Sequence, residues 1–398
     1  FYDGSTRGGY LQRNFPSGET PDYITQLQES VFNPDVLADT TDLKNYSAFR
    51  FDTFHQLSYP KTYFGWLSLT PRVGFRGTYY SRTGDSNPNS PGYIAKPGND
   101  YNNGTFRPVM NAGLEGSFKL SARFEQVQST FLGLDGLLHV IQPFANYAYV
   151  NNAGLAPDQI LQFDRVVPSA QLPSLNFPQF NMIDSIDTSN LMRVGVRNRL
   201  VTRRDDGNHE WFALETFLDV NFDNPYLDDP GQFSNLYNNF AFSPVPWFTA
   251  GATTQLPISD GGFTDVNSYL NWQPVEDFSF FVSQRFIESS PYFQNDSQAS
   301  LGGYWRVDDN WAVSAATRYD LTFGTWDIQR YMVHRDLSSW LISVGFLITD
   351  NSATFNNQTS GEVGVGVLLM VTLKDAPNIN LPLAFDVLGN QQQGQQQY

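Results

Sequence analysis

The stretch Tyr269 to Phe286, YLNWQPVEDFSFFVSQRF, decides the fold. Continuing the residues just before it, Val266, Ser268, Leu270 and Trp272 share one face, while Asn267, Tyr269, Asn271 and Gln273 share the other, the period of two that belongs to an extended strand. After PVED the alternation resumes, with Phe278, Phe280, Val282 and Phe286 opposed by Ser279, Ser283 and Arg285. Two strands joined by a turn of a few residues follow from this pattern. Their aromatic face needs either a protein core or lipid against it.

Composition narrows the choice. The 398 residues are 40% hydrophobic but 15% aromatic, with 33 Phe and 20 Tyr, and mean hydropathy is −0.36. A strand with one polar face needs few apolar residues to build a continuous hydrophobic surface, so a polar average does not exclude a membrane barrel. No run approaches the roughly 20 apolar residues of a spanning helix. The most apolar run, Val363 to Leu373 (VGVGVLLMVTL), has about the length of a tilted barrel strand.

With 24 basic and 40 acidic residues the net charge is −16. Phosphate backbones need a basic footprint, so no nucleic-acid partner is expected. The chain has no Cys, which removes disulfides, thiolate metal sites and a Cys nucleophile. His55, His139, His209 and His334 stand far apart, so no catalytic residue, cofactor site or metal site is expected. The opening FYDGSTRGGY has neither an initiator Met nor a signal segment and reads as the start of a fragment.

Strand patterns recur along the chain. They cover Phe1 to Asn14, Asn45 to Tyr59, Leu67 to Ser81, Arg107 to Glu115, Ser117 to Gln126, Val140 to Val150, Leu191 to Arg203 and Trp211 to Phe222. From Phe233 onward they continue at Leu236 to Ser243, Phe248 to Leu256, Phe263 to Gln273, Phe278 to Ile287, Gln298 to Arg306, Trp311 to Leu321, Asp327 to His334, Trp340 to Thr349 and Val363 to Leu373. Every second joint is tight, as in PVPW, PVED, VDDN and DLSS, whereas the intervening ones carry Gly, Asn and Ser and are often longer. Short turns at one end and loops at the other predict an all-β, antiparallel transmembrane β-barrel of roughly 16 to 17 strands over residues 1–385, as part of a larger barrel. Residues 386–398 (VLGNQQQGQQQY after Asp386) read as a Gln-rich disordered tail. Asp85 to Gly104 and Asn151 to Asn190 lack a strand period and are expected to be solvent-exposed connections rather than plugs.

Face assignments follow from the alternation. Trp340, Ile342, Val344 and Phe346, together with Trp311, fall on the apolar side expected to meet lipid, with Ser343 on the opposite side. Arg193, Arg197, Arg199 and Arg203 alternate along one strand on the side expected to line a lumen; Arg72 and Arg76 repeat the arrangement earlier and Arg318 later. Two roles stay open for them: cross-strand pairing with Glu215 and Asp219, or bidentate contact with the phosphates of a cargo.

The segments Arg50 to Tyr80 (RFDTFHQLSYPKTYFGWLSLTPRVGFRGTYY), Met182 to Arg204, FSPVPWF (Phe242 to Phe248), DDNWAVSAATRYD (Asp308 to Asp320), Tyr331 to Phe346 and MVTLKDAP (Met370 to Pro377) resemble, in matching order, the carboxy-terminal barrel of the LptD family of outer-membrane LPS-assembly proteins. The resemblance implies a cell-outer-membrane location among membrane lipids and no catalysis. It also implies lipopolysaccharide as cargo, taken from an LptA-like periplasmic bridge, passed through the lumen and released through a seam between first and last strands, beside an LptE-like plug lipoprotein. The amino-terminal periplasmic domain and the disulfides of many members are not in this sequence. A general porin or nutrient-transport barrel, and a soluble glycan-binding β protein, are the alternatives.

Overall fold

The computed structural model describes residues 1–13, 46–83, 104–152, 155, 157, 160–164, 172, 174–176, 182–204, 207–223, 233–258, 263–290, 295–350, 353–355, 358–360, 363–374 and 380–386. Asp85 to Gly104, apart from Gly104 itself, and the tail from residue 387 lie outside the described residues.

Almost all of the described chain is one antiparallel sheet of nineteen strand segments. Two pairs of consecutive segments are single strands interrupted by a kink, which leaves seventeen strands. They are β1 (Tyr2–Arg13), β2 (Tyr46–Ser58, resuming as Lys61–Tyr63), β3 (Leu67–Tyr80), β4 (Thr105–Phe118, resuming as Leu120–Ser129), β5 (Leu134–Asn152), β6 (Ser189–Arg204), β7 (Gly207–Asp223), β8 (Leu236–Val245) and β9 (Phe248–Leu256). They continue as β10 (Thr264–Val275), β11 (Phe278–Glu288), β12 (Asp296–Arg306), β13 (Trp311–Asp320), β14 (Thr325–Leu337), β15 (Trp340–Asp350), β16 (Val363–Leu373) and β17 (Asn380–Asp386). Each pairs with the next, an up-and-down meander with the strand content and two-faced pattern of a transmembrane β-barrel. A small hairpin, Ala353–Phe355 with Gln358–Ser360, stands apart between β15 and β16.

Two strands differ from the sequence reading. Arg107 to Glu115 and Ser117 to Gln126 are halves of one strand, because Ser117 opposes Phe144 and Leu120 opposes Ile141 in unbroken register along β5. Gly116 and the polar residues around Lys119 imitate a turn locally, but the ladder with β5 carries the chain straight on. β17 went unread because Pro382 interrupts its pattern; among the described residues it pairs on one side only, with β16, and proline is tolerated in such an edge strand.

Apart from the four-residue turn at 321–324 between β13 and β14, which lies at the opposite rim, the tight joints share one rim. Trp66, Trp211, Trp247, Trp272, Trp305, Trp311 and Trp340 lie at that rim, and Trp326 alone of the eight tryptophans lies at the other. Such a belt has the arrangement of the aromatic girdles that flank the apolar band of membrane barrels. Between the rims the outer face is apolar across strands: Phe278, Trp305, Val313, Val333, Val344 and Leu369 are register partners in one row from β11 to β16. Trp311, Trp340, Val344 and Phe346 are exposed on this face, with Ile342 half-exposed beside them. Ser343 does point the other way, but it is buried and accepts or donates a hydrogen bond with His334 Nδ1 at 2.7 Å.

The connection between β5 and β6 overturns the expectation of a solvent-exposed loop. Its described residues run back over the inner face of β1 to β5. Leu161 packs on Ala48, and Ile186 packs with Val109 and Val150. Proline-rich, non-periodic composition favours an exposed loop, yet Leu161 and Ile186 find an apolar seat against the wall.

Candidate functional site: the inner wall and its covering segment

The site is the inner face of the sheet, and it has two zones. In the first, the β5–β6 connection is fastened to five neighbouring strands. Arg13 of β1 donates to the Gln162 carbonyl at 2.9 Å, and Gln56 of β2 donates to the Asn176 carbonyl at 3.0 Å. Arg72 of β3 donates from Nη2 to Asn146 Oδ1 and to the carbonyls of Tyr147 and Leu175. Arg107 of β4 caps the short 3₁₀ turn Ile183–Ser185, donating to the carbonyls of Leu155, Ile183 and Ile186. Asn146 of β5 reaches Asn176 at 3.2 Å.

Asp184 is the centre of this attachment and is fully buried. It accepts from Arg50 Nη1 at 2.7 Å and from Tyr80 Oη at 2.6 Å, and its other oxygen accepts from the backbone N–H of Phe163 and Asp164. Arg50 also grips both oxygens of Asp164 at 2.9 Å. Burial, and next the neighbouring Asp164 carboxylate, push the Asp184 carboxyl above its ordinary range, while Arg50 and the hydrogen bonds oppose the shift. One guanidinium between two carboxylates cannot neutralise both. A buried charge is tolerated only where it is paired and hydrogen-bonded, and Asp184 has both.

The second zone, over β6 to β14, carries no such cover among the described residues. Arg193 of β6 holds Asp219 of β7 with two parallel bonds, Nε to Oδ1 at 2.7 Å and Nη2 to Oδ2 at 3.0 Å, and lies over the Phe217 ring. Arg197 donates from Nε to Glu215 Oε1 at 2.7 Å and lies over Phe144. Arg199 is 3.9 Å from Glu210, and Arg203 is exposed near the turn rim. Further round, a recess of about 420 Å³ is lined by Tyr269, Asn267, Arg285, Gln298 and Arg318 among others.

By strand parity the seven arginines singled out in the sequence share one side of the sheet but do not form one cluster. Arg193, Arg197, Arg199 and Arg203 make a row on β6, and Arg318 stands exposed on β13. Arg72 and Arg76 are buried in the covered zone, where Arg76 lies over Phe54 and 3.7 Å from Asp52. Sequence reasoning missed Arg50 and Arg107, which share the inward parity of Arg72 and Arg76 and so were within reach of the same pattern. It also missed Asp184, for which a loop without period offers no signal.

A model of the family described as LptD, LPS transport system D, matches residues 16–311, well over half of the chain. Among solved structures, the chain is similar to the FrpB iron transporter from Neisseria meningitidis (F5-1 variant, apoprotein form) at 9% identity, with 87% of this chain and 61% of that chain covered and a TM-score of 0.35. It is also similar to the FpvAI–pyocin S2 complex at 10% identity, with 83% and 58% covered and a TM-score of 0.25. The chain spans less than two thirds of either structure. No curated protein matches it.

Proposed function

Because this chain belongs to the LptD family, LPS transport system D, we propose that it is the barrel of an outer-membrane assembly that delivers lipopolysaccharide to the cell surface. Family membership over residues 16–311 is the observation that carries this reading. The two-faced sheet supports it physically. An apolar outer band bearing Trp311, Trp340, Ile342, Val344 and Phe346 suits membrane lipids, and an inner wall of hydroxyls, amides and guanidiniums suits a cargo that is mostly sugar and phosphate.

In this reading the sugars pass through the polar lumen while the acyl chains leave sideways, through a seam between the first and last strands of the complete barrel. An LptA-like periplasmic bridge loads the cargo and an LptE-like lipoprotein plugs the lumen. In this reading Arg197, Arg199, Arg203 and Arg318, all partly or fully exposed, are the arginines that meet phosphate, Arg197 while also bonded to Glu215; Arg193 is held by the buried Asp219, Arg72 holds the covering segment, and Arg76 lies against Asp52 and Phe54. That segment argues against free diffusion of solutes, since it occupies the inner face of five strands.

The test is purification of the complete protein in mild detergent, followed by assay for bound lipopolysaccharide and for conductance in planar bilayers. Stoichiometric lipopolysaccharide with low conductance is expected. Open, solute-permeable channels free of lipopolysaccharide would indicate a porin instead.

A further inference from the structure

We propose that the inner wall over β9 to β13 carries a saccharide-binding subsite, with Tyr269 and Phe281 as stacking platforms and Arg285 and Arg318 as the anion contacts beside them. The proposal rests on the reading that a glycan traverses the lumen, and it names where that glycan is held.

Tyr269 and Phe281 lie on the polar face, yet they are 49% and 40% exposed. Aromatic rings left in water on a hydrophilic wall are costly unless something covers them. Each ring has a glycine as its register partner or neighbour on the adjoining strand. Gly251 opposes Tyr269, and a Cβ there would stand 2.7 Å from the tyrosine ring; Gly302 opposes Phe281, and a Cβ there would stand 2.4 Å from the ring. Both rings therefore lie down across a glycine and turn a face to the lumen, which a side chain at either glycine would prevent.

Around them are the groups that recognise hydroxyls and anions. Asn267 donates one amide hydrogen to Asp265 Oδ1 at 2.6 Å and Gln298 bonds Asp296, and the second amide hydrogen and the carbonyl oxygen of each can serve the vicinal hydroxyls of a sugar. Arg285 and Arg318 line the same recess, Arg285 beside Asp265 and Asp296 and Arg318 beside Asp296 and Asp327, and a guanidinium can serve a phosphate while it keeps a carboxylate neighbour. Aromatic faces for the C–H side of a pyranose, amides for its edge and arginine for its phosphate define the ligand class as a phosphorylated oligosaccharide.

The experiment uses the complete protein in detergent and, as probe, the phosphorylated oligosaccharide left when lipid is removed from lipopolysaccharide, titrated by calorimetry. Tyr269→Ala combined with Phe281→Ala should weaken binding by about tenfold or more, and Tyr269→Phe should bind as the wild type does. Gly251→Ala, which lifts the Tyr269 ring while keeping it, should also weaken binding. Arg318→Gln should weaken binding of the phosphorylated probe but not of its dephosphorylated form. Unchanged affinity in the double variant, with heat-resistant migration showing the barrel intact, would overturn the subsite, as would a wild type that binds no oligosaccharide. Lipopolysaccharide bound to the wild type with no dependence on these rings would sink the subsite alone; ring-dependent oligosaccharide binding without any bound lipopolysaccharide would sink the transport reading alone.

Discussion

Tyr80 donates its hydroxyl proton to Asp184 at 2.6 Å, a bond that ties the barrel wall to a turn 104 residues further along the chain. Arg50 joins the same carboxylate at 2.7 Å. Replacing Asp184 by Ala would leave the Tyr80 phenol and the backbone N–H groups of Phe163 and Asp164 without their acceptor, while Arg50 keeps Asp164, a cost on the order of 1 to 3 kcal/mol for each buried group left unsatisfied. The cost falls on the segment rather than on the sheet. The chain has no Cys, so a spin label placed at the exposed Ser174 reports the segment alone; in the Asp184→Ala variant its spectrum should sharpen to that of a mobile loop. An immobile label there would show that the attachment lies elsewhere.

The same carboxyl sets a pH dependence. Its folded value is raised by burial and by Asp164, so the folded state holds the proton that the unfolded state gives up. The attachment is then at full strength below the ordinary carboxylate range and weakens as pH rises through the raised value. The Ser174 label should gain mobility with rising pH, and Asp184→Asn should flatten that response. A label that loosens on acidification would contradict the sign.

The two arginine pairs on β6 should behave differently. Asp219 is buried beneath the bidentate Arg193, so Arg193→Ala should cost about 3 kcal/mol or more. Arg197 and Glu215 are both partly exposed, and Arg197→Ala should cost about 1 kcal/mol or less once solvent screening is counted. Denaturant titration of the refolded barrel checks the ranking. The charge swap Arg197→Glu with Glu215→Arg should restore folding and leave surface delivery of lipopolysaccharide impaired, as expected if the guanidinium at 197 meets cargo. Full recovery of delivery would reduce Arg197 to a structural partner.

Across the wall, Val344→Arg should cost about 2 to 4 kcal/mol near the membrane midplane. The polar-face control is Thr253→Arg, which places the new charge at an exposed inward position and should be close to neutral. Ser343 is not a suitable control, because His334 packs on it and an arginine there would have no room. A reversed ranking of the two arginine variants would invert the assignment of faces.

The alternation in YLNWQPVEDFSFFVSQRF was enough to put Trp272 and Tyr269 on opposite faces, and Phe280 and Ser283 likewise, because a period of two leaves each side chain only two directions; the pairing of Trp272 with Phe280 and Tyr269 with Ser283, with a register shift beside the turn, comes from the structure. Hairpin by hairpin, that rule carries the meander, both faces and the inward parity of Arg197 and Arg318. It carries nothing about which inward side chains meet one another across the lumen. Arg50, Tyr80 and Arg107 converge on Asp184 only through a connection whose path depends on burying Leu161 and Ile186, and a segment without period encodes no path. The platform rings were hidden for another reason. Tyr269 and Phe281 look like ordinary strand aromatics until the register sets a glycine under each.

The most direct test of the central claim is a photocrosslinking scan in living cells that make radiolabelled lipopolysaccharide. Crosslinkable residues at the inward positions Arg197, Tyr269 and Arg318 should capture lipopolysaccharide, with the glycan at the crosslink. The outward position Val313 should capture only bulk membrane lipid. Lipopolysaccharide captured equally at Val313, or at none of the three inward positions, would contradict passage of the cargo along the inner wall.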